Sequence, residues 1–141
     1  MKTLYEGNVT ASGARAGSIE SEDGALAHDL AVPTSMGGKG GDGTNPEQLF
    51  AGAYSACFGS ALLAVSSERN IELGDDFTVS ATIGFNKDED GYFLSADLDC
   101  YLPTIDKETG IELINEAHEI CPFSKATRDN IEVNLHLLMD E

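Results

Sequence analysis

Two cysteines stand in sequence surroundings that could support chemistry: Cys57 inside TNPEQLFAGAYSACFGSALLAV (44–65) and Cys121 inside HEICPFSKATRDNIEV (118–133). A cysteine on an apolar helical stripe is by default a small core hydrophobe. Cys121 weakens that default, because Pro122 makes it the first residue of a new turn, whose unpaired backbone N–H groups favour a thiolate. Arg15 adds to the case. It is one of only 8 basic residues, and it stands in the glycine-broken turn TASGARAG (10–17), away from any charge run. A guanidinium beside a thiolate lowers its pKa and leaves the sulfur free to attack the terminal oxygen of a peroxide. The chemistry these residues predict is thiol redox chemistry. Cys100 alternates with aliphatic residues in YFLSADLDCYL (92–102) and is assigned to packing.

The elements that must position these residues can be read from their periodicity. Residues 2–10 and 17–33 read as short strands joined by the arginine turn. SMGGKGGDG (35–43) reads as a flexible loop; its G-x-G-x-x-G spacing at Gly38, Gly40 and Gly43 lacks the second strand and acidic residue of a dinucleotide site. A central, mostly buried helix follows. Asn45 is its N-cap, Pro46 its first residue, Glu47 and Gln48 lie in the first turn, and Phe50, Ala53, Tyr54, Cys57, Phe58, Ala61, Leu62 and Val65 keep helical spacing. A stripe of small residues, Gly52, Ala56 and Gly59, would let another helix or subunit approach closely. Residues 77–85 and 92–102 form a hairpin closed at 86–91, a second helix covers 107–120 with Ile111, Ile114 and Ala117 inward, Pro122 stops it, and Ile131 to Leu137 alternate as a last strand. The order predicts an α+β fold, a curved antiparallel sheet with helices packed on it.

At 141 residues the chain fits one domain, 1–141, and 41% hydrophobic residues supply one core. The formal net charge of −17 disfavours nucleic-acid and anionic-membrane partners. No run of 18 uninterrupted apolar residues and no signal-peptide pattern is visible at the start, so the expectation is a cytoplasmic protein. Three cysteines without CxxC spacing speak against a disulfide scaffold or a zinc site, and no metal is expected.

Together, GGKGGDGTNPEQLFAGAYSACF and CPFSKATRDNIEV resemble the organic hydroperoxide resistance branch of the Ohr/OsmC family, over essentially the whole chain. EQLFAGAY and ATRDNIEV favour that branch over the OsmC branch. The resemblance implies an intertwined homodimer with antiparallel sheets around a long central helix. It implies a peroxidase in which Cys57 attacks an organic hydroperoxide, becomes a sulfenic acid and condenses with Cys121, while Arg15 and Glu47 orient and activate Cys57. It also implies no bound cofactor and recycling by dihydrolipoamide or a lipoylated protein. Phe123 stands where the family usually has tyrosine and Asp129 where it usually has glycine, which puts the backbone at 129 in question.

Helix geometry adds a constraint. Glu47 and Cys57 are ten residues apart on one helix, roughly 15 Å along its axis and about 80° around it. If both serve one site, Glu47 must come from a second subunit, and a two-fold dimer with composite sites is the economical reading. His118 could form a dyad or a metal site with the cysteines, but His28 and His136 fall in other elements and a helix-surface histidine is the better reading. Phe50 and Tyr54 would wall an apolar pocket suited to alkyl or lipid peroxides. The alternatives are an OsmC-type peroxidase of different substrate preference and a non-catalytic redox-responsive binding protein.

Overall fold

The computed structural model describes residues 1–140. They fall into two compact units, Met1–Leu49 and Phe50–Glu141.

The first unit is a three-stranded antiparallel sheet, β1 (Val9–Ser12), β2 (Ser18–Ser21) and β3 (Ala27–Asp29), in the order β1-β2-β3. The single strand expected over 17–33 is therefore two, because Asp23 closes a turn by accepting from Ser21 Oγ at 2.7 Å and from the Ala25 amide at 3.0 Å. The strand expected over 2–10 begins only at Val9; residues 2–7 are exposed and have no ladder among the described residues. Between β1 and β2 the chain makes a 3-10 turn, Ala14–Ala16, entered through two left-handed residues, Gly13 (φ 76°) and Ala14 (φ 52°). A Cβ at Gly17 would lie 1.7 Å from the Ser12 carbonyl oxygen, so only glycine lets this turn close with Arg15 at its apex. The glycine loop 35–43 is held more firmly than expected. Gly40 donates to the Val32 carbonyl and Ala31 to that of Thr44, and the approach is close enough that a Cβ at Gly38 or Gly43 would strike the backbone of residues 30–32.

The long helix is α1 (Pro46–Glu68), which starts in the first unit and continues through the second. Asn45 Oδ1 accepts from the Gln48 amide at 2.8 Å, and the Thr44 hydroxyl holds the Gln48 side chain at 2.7 Å, so the start is capped as its sequence predicts. An 18-residue window of α1 has mean hydropathy 1.6, long and apolar enough by length and composition to cross a membrane. One side of the helix is core: Tyr54, Phe58, Ala61, Leu62, Val65 and Ser66 are buried. The helix is less buried than its sequence predicts, since Gly52, Ala53, Ala56, Leu63 and Ala64 are exposed. Small and apolar residues on both sides, rather than an amphipathic pattern, account for the difference.

In the second unit β4 (Thr78–Asp88) and β5 (Gly91–Tyr101) form a long hairpin, and β6 (Val133–Leu138) joins β5 in parallel. This sheet is therefore mixed, not wholly antiparallel. A parallel neighbour needs a crossover longer than a hairpin, and α2 (Lys107–Ile120) and α3 (Pro122–Thr127) provide it. Pro122 does end α2, but it also occupies the first position of α3, where its missing N–H costs nothing. Inward on α2 are Gly110, Leu113, Ile114 and Ala117, while Ile111 is 43% exposed. The buried stripe follows the 3.6-residue period from Gly110, not a spacing of three from Ile111. Tyr54, Phe58 and Leu62 meet Ala96, Leu98, Cys100, Leu113 and Cys121 in one core. The Ser55 hydroxyl accepts the Ala81 amide at 2.9 Å and pins α1 to β4.

Candidate active site

Cys57 and Cys121, 64 positions apart, meet in the second unit: Cys121 donates its S–H to the Cys57 sulfur at 3.4 Å. Cys121 is fully buried at the junction of α2 and α3 and is the N-cap of α3, and Cys57 is partly exposed on α1. Both are free thiols. An S–S bond is about 2.05 Å long, so bond formation takes an approach of roughly 1.4 Å. Burial pushes the Cys57 thiol up; the Phe123 backbone N–H, in the first turn of α3, pulls it back, and the neighbouring Cys121 thiol adds to the rise. Cys100 lies in the core at 0% exposure, opposite Val79 and Leu137 in the sheet, and burial raises its thiol to about 12. It is a packing residue, as its alternation with aliphatics predicts.

In the first unit, Arg15 Nη1 donates to both oxygens of Glu47, at 2.7 and 3.2 Å. The Glu47 side chain is 13% exposed and that of Arg15 39%. The arginine turn and the first turn of α1 thus place a guanidinium and a carboxylate in one ion pair, 32 residues apart in sequence. The resemblance sets Arg15 and Glu47 together, and the ion pair joins them. Glu47 also suits its position, since an acid is stabilised in the first turn of a helix.

Around the two thiols lies an aromatic group. Phe50, Tyr54 and Phe123 have ring centroids 6.0 to 6.2 Å apart, edge-on or tilted, with Tyr54 fully buried in the core. A polar chain missed from the sequence runs behind it. Tyr54 Oη lies 2.8 Å from Ser124 Oγ and 3.1 Å from Thr127 Oγ1, and His118 Nδ1 lies 2.9 Å from Ser124 Oγ. His118 is thus not a plain surface histidine: burial and the nearby Arg128 lower its pKa, against an opposing pull from Glu119. The only available signal was the i, i+3 spacing of the hydroxyls of Ser124 and Thr127, which looks in sequence like an ordinary helix start. Among the described residues no group of three or more histidine, cysteine or acidic side chains could hold a metal ion. Asp129 adopts φ 61°, the left-handed conformation that glycine takes without strain.

Two units, one bearing a thiol pair under an aromatic wall and the other an Arg–Glu pair, define a cysteine-centred α+β protein, and comparison with known proteins gives the family. A family profile described as OsmC-like protein matches residues 38–136. The chain is 41% identical over 136 residues to the organic hydroperoxide resistance protein of Xanthomonas axonopodis pv. citri, covering 96% of each. It is 43% identical to the organic hydroperoxide resistance protein OhrB of Bacillus subtilis, covering 95% of this chain and 98% of that one. The crystal structure of an organic hydroperoxide resistance protein from Elizabethkingia anophelis superposes with a TM-score of 0.92 at 42% identity, covering 99% of this chain and 100% of that one. The chain belongs to the OsmC-like family, within its organic hydroperoxide resistance branch.

Proposed function

We propose that this protein is a cytoplasmic thiol peroxidase that reduces organic hydroperoxides to alcohols. The observation that carries the reading is the 3.4 Å contact between the Cys57 and Cys121 sulfurs beside the Phe50, Tyr54 and Phe123 rings. The Cys57 thiolate attacks the terminal peroxide oxygen, the O–O bond breaks, and the leaving alkoxide takes up a proton to become the alcohol. Cys57 is left as a sulfenic acid. The Cys121 sulfur then displaces its hydroxyl, water departs, and a Cys57–Cys121 disulfide forms. A dithiol returns both residues to thiols while becoming a disulfide itself; a dihydrolipoyl group, free or on a lipoylated protein, is the proposed reductant. The aromatic wall favours alkyl and lipid hydroperoxides over hydrogen peroxide.

Arg15 and Glu47 are proposed to activate Cys57 across a homodimer. Ten residues of α1, roughly 15 Å of helix, separate Glu47 from the thiol of its own chain. The exposed small and apolar face of α1, and the exposed Leu4 and Tyr5 in a segment without a ladder, supply surface for a second copy.

The experiment mixes reduced protein with one equivalent of an alkyl hydroperoxide and follows alcohol, thiol count and protein mass. One alcohol should form as two thiols disappear and the mass falls by two hydrogens. Cys121→Ser should stop at a sulfenic acid trapped by dimedone, and Cys57→Ser should consume no peroxide. Thiols that stay reduced beside intact hydroperoxide exclude the peroxidase; a disulfide that forms without catalytic alcohol production with dihydrolipoamide present favours a redox-responsive binding protein.

A further inference from the structure

We propose that His118, Ser124, Tyr54 and Thr127 form a one-way chain of hydrogen-bond donors whose function is to position the first turn of α3 against the Cys57 sulfur. The proposal rests on the reading that Cys57 is the reacting thiol.

The direction of the chain follows from counting hydrogens. Thr127 Oγ1 donates its only hydrogen to the Ser124 carbonyl at 3.2 Å, an acceptor that offers nothing in return. The 3.1 Å contact between Tyr54 Oη and Thr127 Oγ1 must therefore use the phenol hydrogen. With that hydrogen committed, the 2.8 Å contact to Ser124 must use the serine hydrogen. The remaining 2.9 Å contact can be made only if His118 Nδ1 carries a proton and donates to Ser124 Oγ. All four bonds exist together in this one arrangement, so the network dictates the tautomer of a histidine from a tyrosine that it does not touch.

Its location gives the chain its consequence. Tyr54 is one turn before Cys57 on α1 and completely buried, as is Ser124. Tyr54 Oη thus ties α1 to two hydroxyls of α3, and the Phe123 ring packs against the Tyr54 ring at 6.0 Å. His118 ties the end of α2 to the same serine, while the Arg128 guanidinium holds the His118 carbonyl. The segment so clamped contains Cys121, whose S–H donates to the Cys57 sulfur, and Phe123, whose amide faces the Cys57 sulfur. These four are positioning residues; none touches the reacting sulfur through the chain itself.

The test uses the full-length reduced protein and two readouts that need no peroxide. Nitrogen NMR of the imidazole reports the tautomer, and iodoacetamide alkylation of Cys57, located by peptide mass, reports thiolate availability across pH. The wild type should show His118 protonated at Nδ1. Tyr54→Phe removes one oxygen and keeps the ring; it frees the Ser124 hydrogen to turn to His118, so the tautomer should swing towards Nε2–H. Cys57 alkylation at neutral pH should then slow about three- to tenfold, the change expected of a half- to one-unit rise in pKa. His118→Asn, whose amide N–H can replace the Nδ1 donor, should keep near-wild-type alkylation, and His118→Leu should not. An Nε2–H histidine in the wild type, a tautomer indifferent to Tyr54→Phe, or an alkylation profile that stays put when the tautomer moves overturns the proposal. A protein that passes both readouts yet leaves hydroperoxides untouched counts against the peroxidase reading and not against this one.

Discussion

Three cysteines of identical chemistry take three different roles because their surroundings differ. The core position of Cys100 and its pKa of about 12 keep it a thiol at every ordinary pH. Its folded value lies above the unfolded one of about 8.5, so its contribution to stability is complete below the latter and is lost progressively as pH rises from there to the former. Native alkylation at pH 8 should therefore label Cys57 and spare Cys100, and all three should react after unfolding; prompt native labelling of Cys100 contradicts the packing role. Cys100→Ser should leave turnover per folded molecule unchanged while costing about 1–3 kcal/mol, the penalty of a buried hydroxyl, measured by denaturant unfolding. Burial raises the Cys57 thiol too, and offsetting that rise is the role proposed for Arg15. Arg15→Ala should move its apparent pKa higher still, so that thiolate absorbance appears later in a rising pH titration; an unmoved curve removes Arg15 from the site. At Asp129, φ 61° costs an aspartate about 1 kcal/mol relative to glycine, and Asp129→Gly should raise the melting temperature by a few degrees.

At the scale of elements, Arg15, Glu47 and Cys121 are placed by a turn or a helix end, and Cys57 by the interior of α1. Arg15 depends on a turn that closes only because Gly17 has no Cβ, which would otherwise strike the Ser12 carbonyl and the Gly13 Cα. Gly17→Ala should open that turn, break the Arg15–Glu47 pair, reproduce the later thiolate titration expected of Arg15→Ala and lower activity, with the side chain still present. Activity equal to wild type, with the pair intact by structure determination, disproves the dependence. Cys121 depends on the break between α2 and α3, where Pro122 ends one helix and starts the next. The long helix α1 carries Glu47 in its first turn and Cys57 near its middle, and its buried side packs into the core of the second unit. Leu62→Ala, at a fully buried position, should cost about 2–5 kcal/mol.

For the whole molecule, the composite site is the consequence with the sharpest test. If Glu47 acts on the Cys57 of a second copy, mixing inactive Glu47→Ala and Cys57→Ser chains should restore activity, because each mixed dimer regains one site with a native Glu47 and a native Cys57. Absence of activity after subunit exchange is demonstrated by mass, or a fully active monomer, rules out the arrangement. The acidic surface points the same way as the chemistry: a net charge of −17 repels nucleic acid and leaves small uncharged substrates unaffected.

Local chemistry was legible in the sequence because short-range rules determine it. Asn45 and Pro46 announce the start of α1, alternation places Cys100 inside β5, and local context marks Cys57, Cys121 and Arg15 as candidates, with Glu47 added by the family resemblance. What the sequence could not decide depends on partners far along the chain. A strand pattern does not state the direction of its neighbour, so the parallel pairing of β6 with β5 appeared only when α2 and α3 made the crossover. An apolar helix does not state which of its sides is buried, so the small-residue stripe hinted at an open face of α1 but the exposure of Leu63 and Ala64 was not foreseen. The hydroxyls of Tyr54, Ser124 and Thr127 are ordinary residues in sequence, 70 and 73 positions apart from tyrosine to partner. Packing α3 beside α1 made them one network, since hydroxyls removed from water must find one another there.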